Sequence, residues 1–143
     1  MRHKVDGRLF GRPSNQRKAL LRGIVTALFE NQRIETTVAK AKEAKRIAER
    51  MITFGIKGDL HSKRQVLSYV TDRAVASKLF NEIAPRFTGR NGGYLRLVRT
   101  RQRLKDSAPM AILEFVDYEA IKKPKGKAAK TEKSDKAEKK EKA

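Results

Sequence analysis

The sequence contains no cysteine and no tryptophan, only two histidines, and fewer than half as many acidic residues as basic ones. Without cysteine there is no disulfide framework, thiolate metal site or cysteine nucleophile. His3 and His61 lie far apart in the chain, so a multi-histidine metal centre is not expected. No apolar run approaches the roughly 18 residues that a membrane-spanning helix needs. The opening Met1-Arg2-His3-Lys4-Val5-Asp6-Gly7 has no apolar h-region, so the expectation is a chain without a secretory leader, in a reducing, cytoplasmic compartment. The shortage of acid has the largest consequence. Thirty-five Lys and Arg against 16 Asp and Glu leave +19 on 143 residues. Such a charge repels itself in the compact state and calls for a polyanion, either nucleic acid or an anionic membrane surface.

The charge is unevenly distributed. Residues 122–143 carry ten Lys, four acids, no Arg, no aromatic and no branched aliphatic residue. A segment of that composition buries too little apolar surface to offset its chain entropy, so a disordered tail is expected there. All the apolar periodicity lies in residues 1–121, which divide into a basic arm over 1–13 and a single domain over 14–121.

The arm combines Arg2, His3, Lys4, Arg8 and Arg12 with Gly7, Gly11 and Pro13 as breakers. Ser14 is placed to cap a helix whose Leu20, Leu21, Ile24, Val25, Leu28 and Phe29 form a one-sided stripe. Arg17, Lys18 and Arg22 stand in its first turns, against the helix dipole, where a phosphate would be welcome. Arg33–Thr37 alternates and reads as an edge-like strand. A second helix runs from Val38 to about Phe54, with Ala41, Ala44, Ala48, Met51 and Ile52 on one face, and the Gly55–Gly58 stretch ends it. Asp59 caps a helix holding Val66, Leu67 and Val70. Asp72 caps another holding Val75, Leu79, Phe80 and Ile83, which Pro85 terminates. Two strands follow, Tyr94–Thr100 and Met110–Val116, joined by a turn at Asp106-Ser107-Ala108-Pro109. The expectation is an α+β domain with helices on one face of a small mixed three-stranded sheet.

Two constellations carry nucleic-acid chemistry. One is the arm running into the first helix, with seven basic residues and one acid in residues 1–22. Such an extension orders along phosphates. The other is residues 86–105, which hold Arg86, Arg90, Arg96, Arg99, Arg101, Arg103 and Lys105 and no acid. Arginine presents a planar fork that bridges phosphates and stacks on bases. Asn91, Gly92 and their glycine neighbours let backbone N–H groups approach a phosphate. Phe87 and Tyr94 flank this loop and have two readings, stacking on unpaired bases or ordinary core packing. The exposed face of the second helix, Lys40, Lys42, Lys45, Arg46 and Arg50, is a weaker candidate because Glu43 and Glu49 interleave it. No enzyme constellation appears. Asp59, His61 and Ser62 are sequence neighbours without an orienting third group, and Gly89-x-x-Gly92-Gly93 lacks the phosphate-loop spacing and its Lys-Ser/Thr ending. No catalysis, cofactor, metal or small-molecule substrate is expected. A DNA-compacting protein remains a competing reading. A membrane-surface adaptor ranks last, since neither a lipidation signal nor an apolar wedge accompanies the charge.

Four blocks, in order, carry a resemblance. They are Met1-Arg2-His3 with Gly11-Arg12-Pro13-Ser14-Asn15-Gln16-Arg17-Lys18-Ala19; Arg33-Ile34-Glu35-Thr36-Thr37-Val38-Ala39-Lys40-Ala41-Lys42-Glu43-Ala44; Arg90-Asn91-Gly92-Gly93-Tyr94; and Asp106-Ser107-Ala108-Pro109-Met110-Ala111. The chain resembles the seventeenth family of bacterial large-subunit ribosomal proteins. The resemblance implies a structural protein that binds 23S ribosomal RNA, with an N-terminal arm extended into RNA. It also implies a position on the solvent side of the large subunit, near the peptide exit region and other large-subunit proteins. The chain departs from the family in Arg12-Pro13-Ser14, where Arg-Thr-Ser is common, and in its longer Lys-rich tail, whose role the resemblance does not supply.

Overall fold

The computed structural model describes residues 7–118; residues 1–6 and 119–143, which include Arg2, His3, Lys4 and the Lys-rich tail, lie outside the described residues. The chain runs α1 (Ser14–Asn31), β1 (Arg33–Thr37), α2 (Val38–Lys57), α3 (Leu60–Tyr69), α4 (Arg73–Lys78), a π-helical turn (Leu79–Ile83), α5 (Ala84–Arg86), β2 (Leu95–Gln102) and β3 (Pro109–Phe115). The three strands form one sheet in the order β1-β3-β2. The α+β class and the edge position of β1 are as expected. The sheet, however, is antiparallel in both pairings and not mixed. The reason is topological: a short hairpin sets β3 against β2, and the helical crossover from β1 brings β2 back in the direction of β1, so β3 between them opposes both.

Strand alternation divides the sheet into two faces. Ala111, Leu113 and Phe115 of β3 are buried beneath the helices, together with Leu95 of β2. Helix α2 covers this face, meeting all three strands while α1, α3 and α5 pack around it. Ala41, Ala44 and Ala48 are fully buried on it, and such small side chains let its neighbours approach closely. Gly55 continues this face. A Cβ there would stand 3.1 Å from the Ala84 Cβ, so the helix passes through Gly55 and ends only at Gly58, whose φ of 68° no other residue adopts as readily. At the other end of the core Phe115 stacks on both Phe29 and Phe87, with centroids 6.4 and 5.8 Å away.

Two helix ends depart from expectation. Pro13, not Ser14, occupies the N-cap of α1, and no side chain caps that end. Pro85 does not terminate the fourth helical segment. The preceding turn widens, the Ala84 N–H bonds to the Leu79 carbonyl, and the chain continues helically to Arg86. A wider turn accommodates a proline ring that an α-helical ladder would reject. Asp59 and Asp72 cap α3 and α4 as expected, accepting bonds from the Ser62 N–H and from the Ala74 and Val75 N–H groups.

Candidate nucleic-acid interface

The hairpin joining β2 to β3 is closed by local bonds. The Arg103 N–H bonds to the Ala108 carbonyl at 3.0 Å, and the Ser107 N–H to the Arg103 carbonyl at 2.8 Å. The Asp106 carboxylate receives the Arg103 guanidinium through Nε at 2.8 Å and NH2 at 2.6 Å, and also accepts the Ala108 N–H at 3.3 Å. The two arginine bonds foremost, then the Ala108 N–H, hold the Asp106 carboxyl below the ordinary carboxylate range. Arg103 is therefore occupied in shaping the tip. Arg99 and Arg101 on β2 and Lys105 at the tip make no side-chain hydrogen bond or ion pair among the described residues, and all three are exposed.

The arm's described part, 7–13, folds back on itself. The Arg12 N–H bonds to the Leu9 carbonyl, the Arg12 guanidinium donates to the Phe10 carbonyl at 3.0 Å, and Phe10 packs against the core. Arg8 lies 4.0 Å from Glu43 on the second turn of α2. The register Thr37↔Met110 places the start of α2 beside the base of the hairpin. With 1.5 Å of rise per helical residue, Glu43 is under about 10 Å along the axis from that start. Arm base, α2 N-terminus and hairpin base thus share one end of the domain. The first turn of α2 contains no acid and carries Lys40, with Lys42 following, so its dipole adds to the positive potential there.

The remaining candidates divide by whether the fold uses them. Arg17 and Lys18 on α1 have no partner among the described residues. Arg22 donates to the Ser68 carbonyl at 3.2 Å and lies over the Tyr69 ring, fastening α1 to α3. Arg86 donates to the Gln32 side chain at 3.1 Å and the Asp117 carbonyl at 3.0 Å. Arg90 donates to the Gly92 carbonyl, and its own carbonyl accepts the Tyr94 hydroxyl at 3.2 Å. Exposed Asn91 and half-buried Gly92, with a φ of 139°, complete that loop. Arg96 reaches Glu114 at 2.6 Å, and Arg33 reaches the same carboxylate at 3.4 Å from the other flanking strand. Phe87 and Tyr94 belong to the core. They are 1% and 3% exposed and meet edge to face at 5.4 Å, so neither is available for a base.

Sequence reading did not find Glu114, whose partners lie on two other strands, or Leu104, an apolar residue between Arg103 and Lys105 that stands 96% exposed at the hairpin tip. Among the described residues no group of three or more His, Asp and Glu is placed to hold a metal, and no helix is long and apolar enough to cross a membrane.

The family model of ribosomal protein L17 matches residues 20–116. The chain belongs to the ribosomal protein L17 family. It is 62% identical over 130 residues to the large ribosomal subunit protein bL17 of Thermodesulfovibrio yellowstonii, covering 91% of this chain and 98% of that one. The bL17 protein of Symbiobacterium thermophilum is 60% identical over 74% of this chain and 94% of its own. That of Desulfotalea psychrophila is 54% identical over 83% and 92%. An L17-family chain is a bacterial ribosomal protein, a structural part of a cytoplasmic ribonucleoprotein and not an enzyme. Its partners are ribosomal RNA and other ribosomal proteins. The match to the L17 family covers the hairpin, the α2 N-terminus and the Glu114 clamp, and begins after the arm.

Proposed function

We propose that the chain is a structural component of the large ribosomal subunit, binds 23S ribosomal RNA through its arm and hairpin, and sits near the peptide exit region beside other large-subunit proteins. The observation that carries this reading is the end of the domain where arm base, α2 N-terminus and hairpin meet. Arg99, Arg101 and Lys105 stand there without a partner among the described residues, on a hairpin held by its own bonds. Binding proceeds by counterion release from phosphates, and the domain fixes where the cations stand. Irregular RNA suits this surface better than a duplex, because A-form helices present little readable edge and splayed segments present much. The division of labour follows: arm 1–13 and domain 14–121 bind, whereas tail 122–143, with acids among its lysines, adds little specificity.

The test is binding of the full chain to a 23S rRNA transcript over a salt series. Replacing Arg99 and Arg101 by Ala lowers the slope of log affinity against log salt by about 0.7–0.9 per lost phosphate contact. Neutralising Arg2, Lys4, Arg8 and Arg12 together weakens binding far more than removing 122–143. Equal losses, or a 23S affinity no higher than that for duplex DNA at the same salt, overturn the reading.

A further inference from the structure

The outer face of the sheet, away from the helices, holds a cleft of about 320 Å³ between β1 and the hairpin, lined by Glu35, Arg101, Arg103, Leu104, Lys105 and Met110. Resting on the RNA-binding reading above, we infer that this cleft receives one unpaired nucleotide of the RNA, with its base against Leu104 and Met110 and its phosphate on Arg101 and Lys105. Three observations support this occupant. Leu104 is 96% exposed in a domain whose other large apolar residues are mostly covered, and it is bracketed by cations, which disfavours an ordinary protein contact and suits a base. Arg103 is already immobilised by its bidentate pair with Asp106, so a guanidinium plane stands ready for stacking without further loss of rotamer freedom. Glu35 is an exposed acid among three cations, and among the described residues its one hydrogen bond is a long one from the Thr100 hydroxyl, at 3.5 Å.

That acid gives the cleft a group that reads a base and not a phosphate. On a surface built for phosphate alone a carboxylate is a liability. A carboxylate accepts hydrogen bonds and donates none, so it pairs with a donor on a base edge: the exocyclic amine of cytosine or adenine, the N1–H and amine of guanine, or the N3–H of uracil. Glu35 therefore serves as the base-reading group of the cleft, and the cations serve its phosphate.

The experiment uses the full chain and a 23S rRNA transcript at fixed salt, with thermal unfolding as the control for fold. Both residues are exposed, so Leu104→Ala and Glu35→Gln leave the melting curve in place. The cleft predicts that L104A binds about threefold to tenfold more weakly. It predicts that E35Q, which exchanges one acceptor for a donor, also binds about tenfold more weakly. A purely electrostatic surface predicts the opposite sign for E35Q, because removing an acid strengthens attachment to phosphate. E35Q binding as tightly as wild type or more tightly, or L104A binding unchanged, overturns the nucleotide site while leaving 23S binding standing. Failure of the wild-type chain itself to bind the transcript would instead refute the reading on which the site rests.

Discussion

Removing the Glu114 side chain tests whether arginines on the outer sheet face brace the fold or serve RNA. The carboxylate is 6% exposed and lies on the central strand between Arg96 on β2, at 2.6 Å, and Arg33 on β1, at 3.4 Å. The shorter contact is a charge-assisted hydrogen bond, a class worth about 1.5–3 kcal/mol when one partner is lost. The longer is an ion pair of about 0.2–1 kcal/mol. Both guanidinium groups are about half exposed, at 58% and 44%, so solvent screens them and takes up their donors once the acid is gone. The lower part of each range therefore applies, and Glu114→Ala costs about 2 kcal/mol in total. For a domain of this size that lowers the melting temperature by roughly 6–12 °C. Glu114→Gln keeps an acceptor and the volume and costs about half as much. Affinity for 23S rRNA, measured well below the new melting temperature, stays level or rises, since two cations are released. Stability unchanged within about 0.5 kcal/mol, together with a loss of RNA affinity, would refute the assignment of Arg33 and Arg96 to the sheet.

Other substitutions separate structural from binding roles in the same way. Phe87→Ala lowers stability by about 3–5 kcal/mol in urea unfolding, as a core aromatic does, whereas a residue held out for base stacking would leave stability intact. Asp72→Ala removes the cap of α4 and costs about 1 kcal/mol; Ser14→Ala, at a helix start with no side-chain cap, stays within about 0.5 kcal/mol in the same assay. Arg103 and the Ala108 N–H depress the Asp106 carboxyl, so its contribution is complete at neutral pH and is lost as pH falls through and below the ordinary carboxylate range. The exchange protection of the Ala108 amide should follow that loss, and Asp106→Asn should abolish the pH dependence.

What the sequence disclosed follows the range over which each signal acts. The stripe of α1, the alternation of Arg33–Thr37 and the Asp59 and Asp72 caps are local patterns, and each fixes an element without reference to the rest of the chain. Sheet order is not local. Nothing in β1 or β2 announces that β3 enters between them, and an alternation suits a parallel or an antiparallel neighbour equally. Pro85 misleads for a related reason. Its local rule is to end a helix, but burial of Leu79 and Ile83 holds the segment against α2 and a widened turn absorbs the ring. Phe87 and Tyr94 lie beside a basic loop in sequence but against each other in space, with Phe87 also on Phe115, and only the second adjacency determines their role. Arg12, Arg90 and Arg103 have partners two or three residues away, within the range of sequence reading. The partners of Arg86 and Arg96 are remote in the chain.

The same contrast changes what the charge of +19 means. Counterion release counts phosphate contacts, and a guanidinium committed to a protein acceptor contributes fewer of them than its charge suggests. Arg22, Arg33, Arg86, Arg96 and Arg103 each hold two parts of the domain together or close a turn, yet none is buried, so each still contributes to the field around the protein. Positioning and contact are therefore carried by different residues. The braced arginines set a long-range potential and a fixed scaffold, while Arg17, Lys18, Arg99, Arg101 and Lys105, without a partner among the described residues, present their hydrogen-bonding groups to a ligand. A protein that must find one place on a large folded RNA gains from this separation. Attraction alone binds any phosphate backbone, whereas cations held at set separations on a rigid sheet and hairpin fit only the RNA whose phosphates match them.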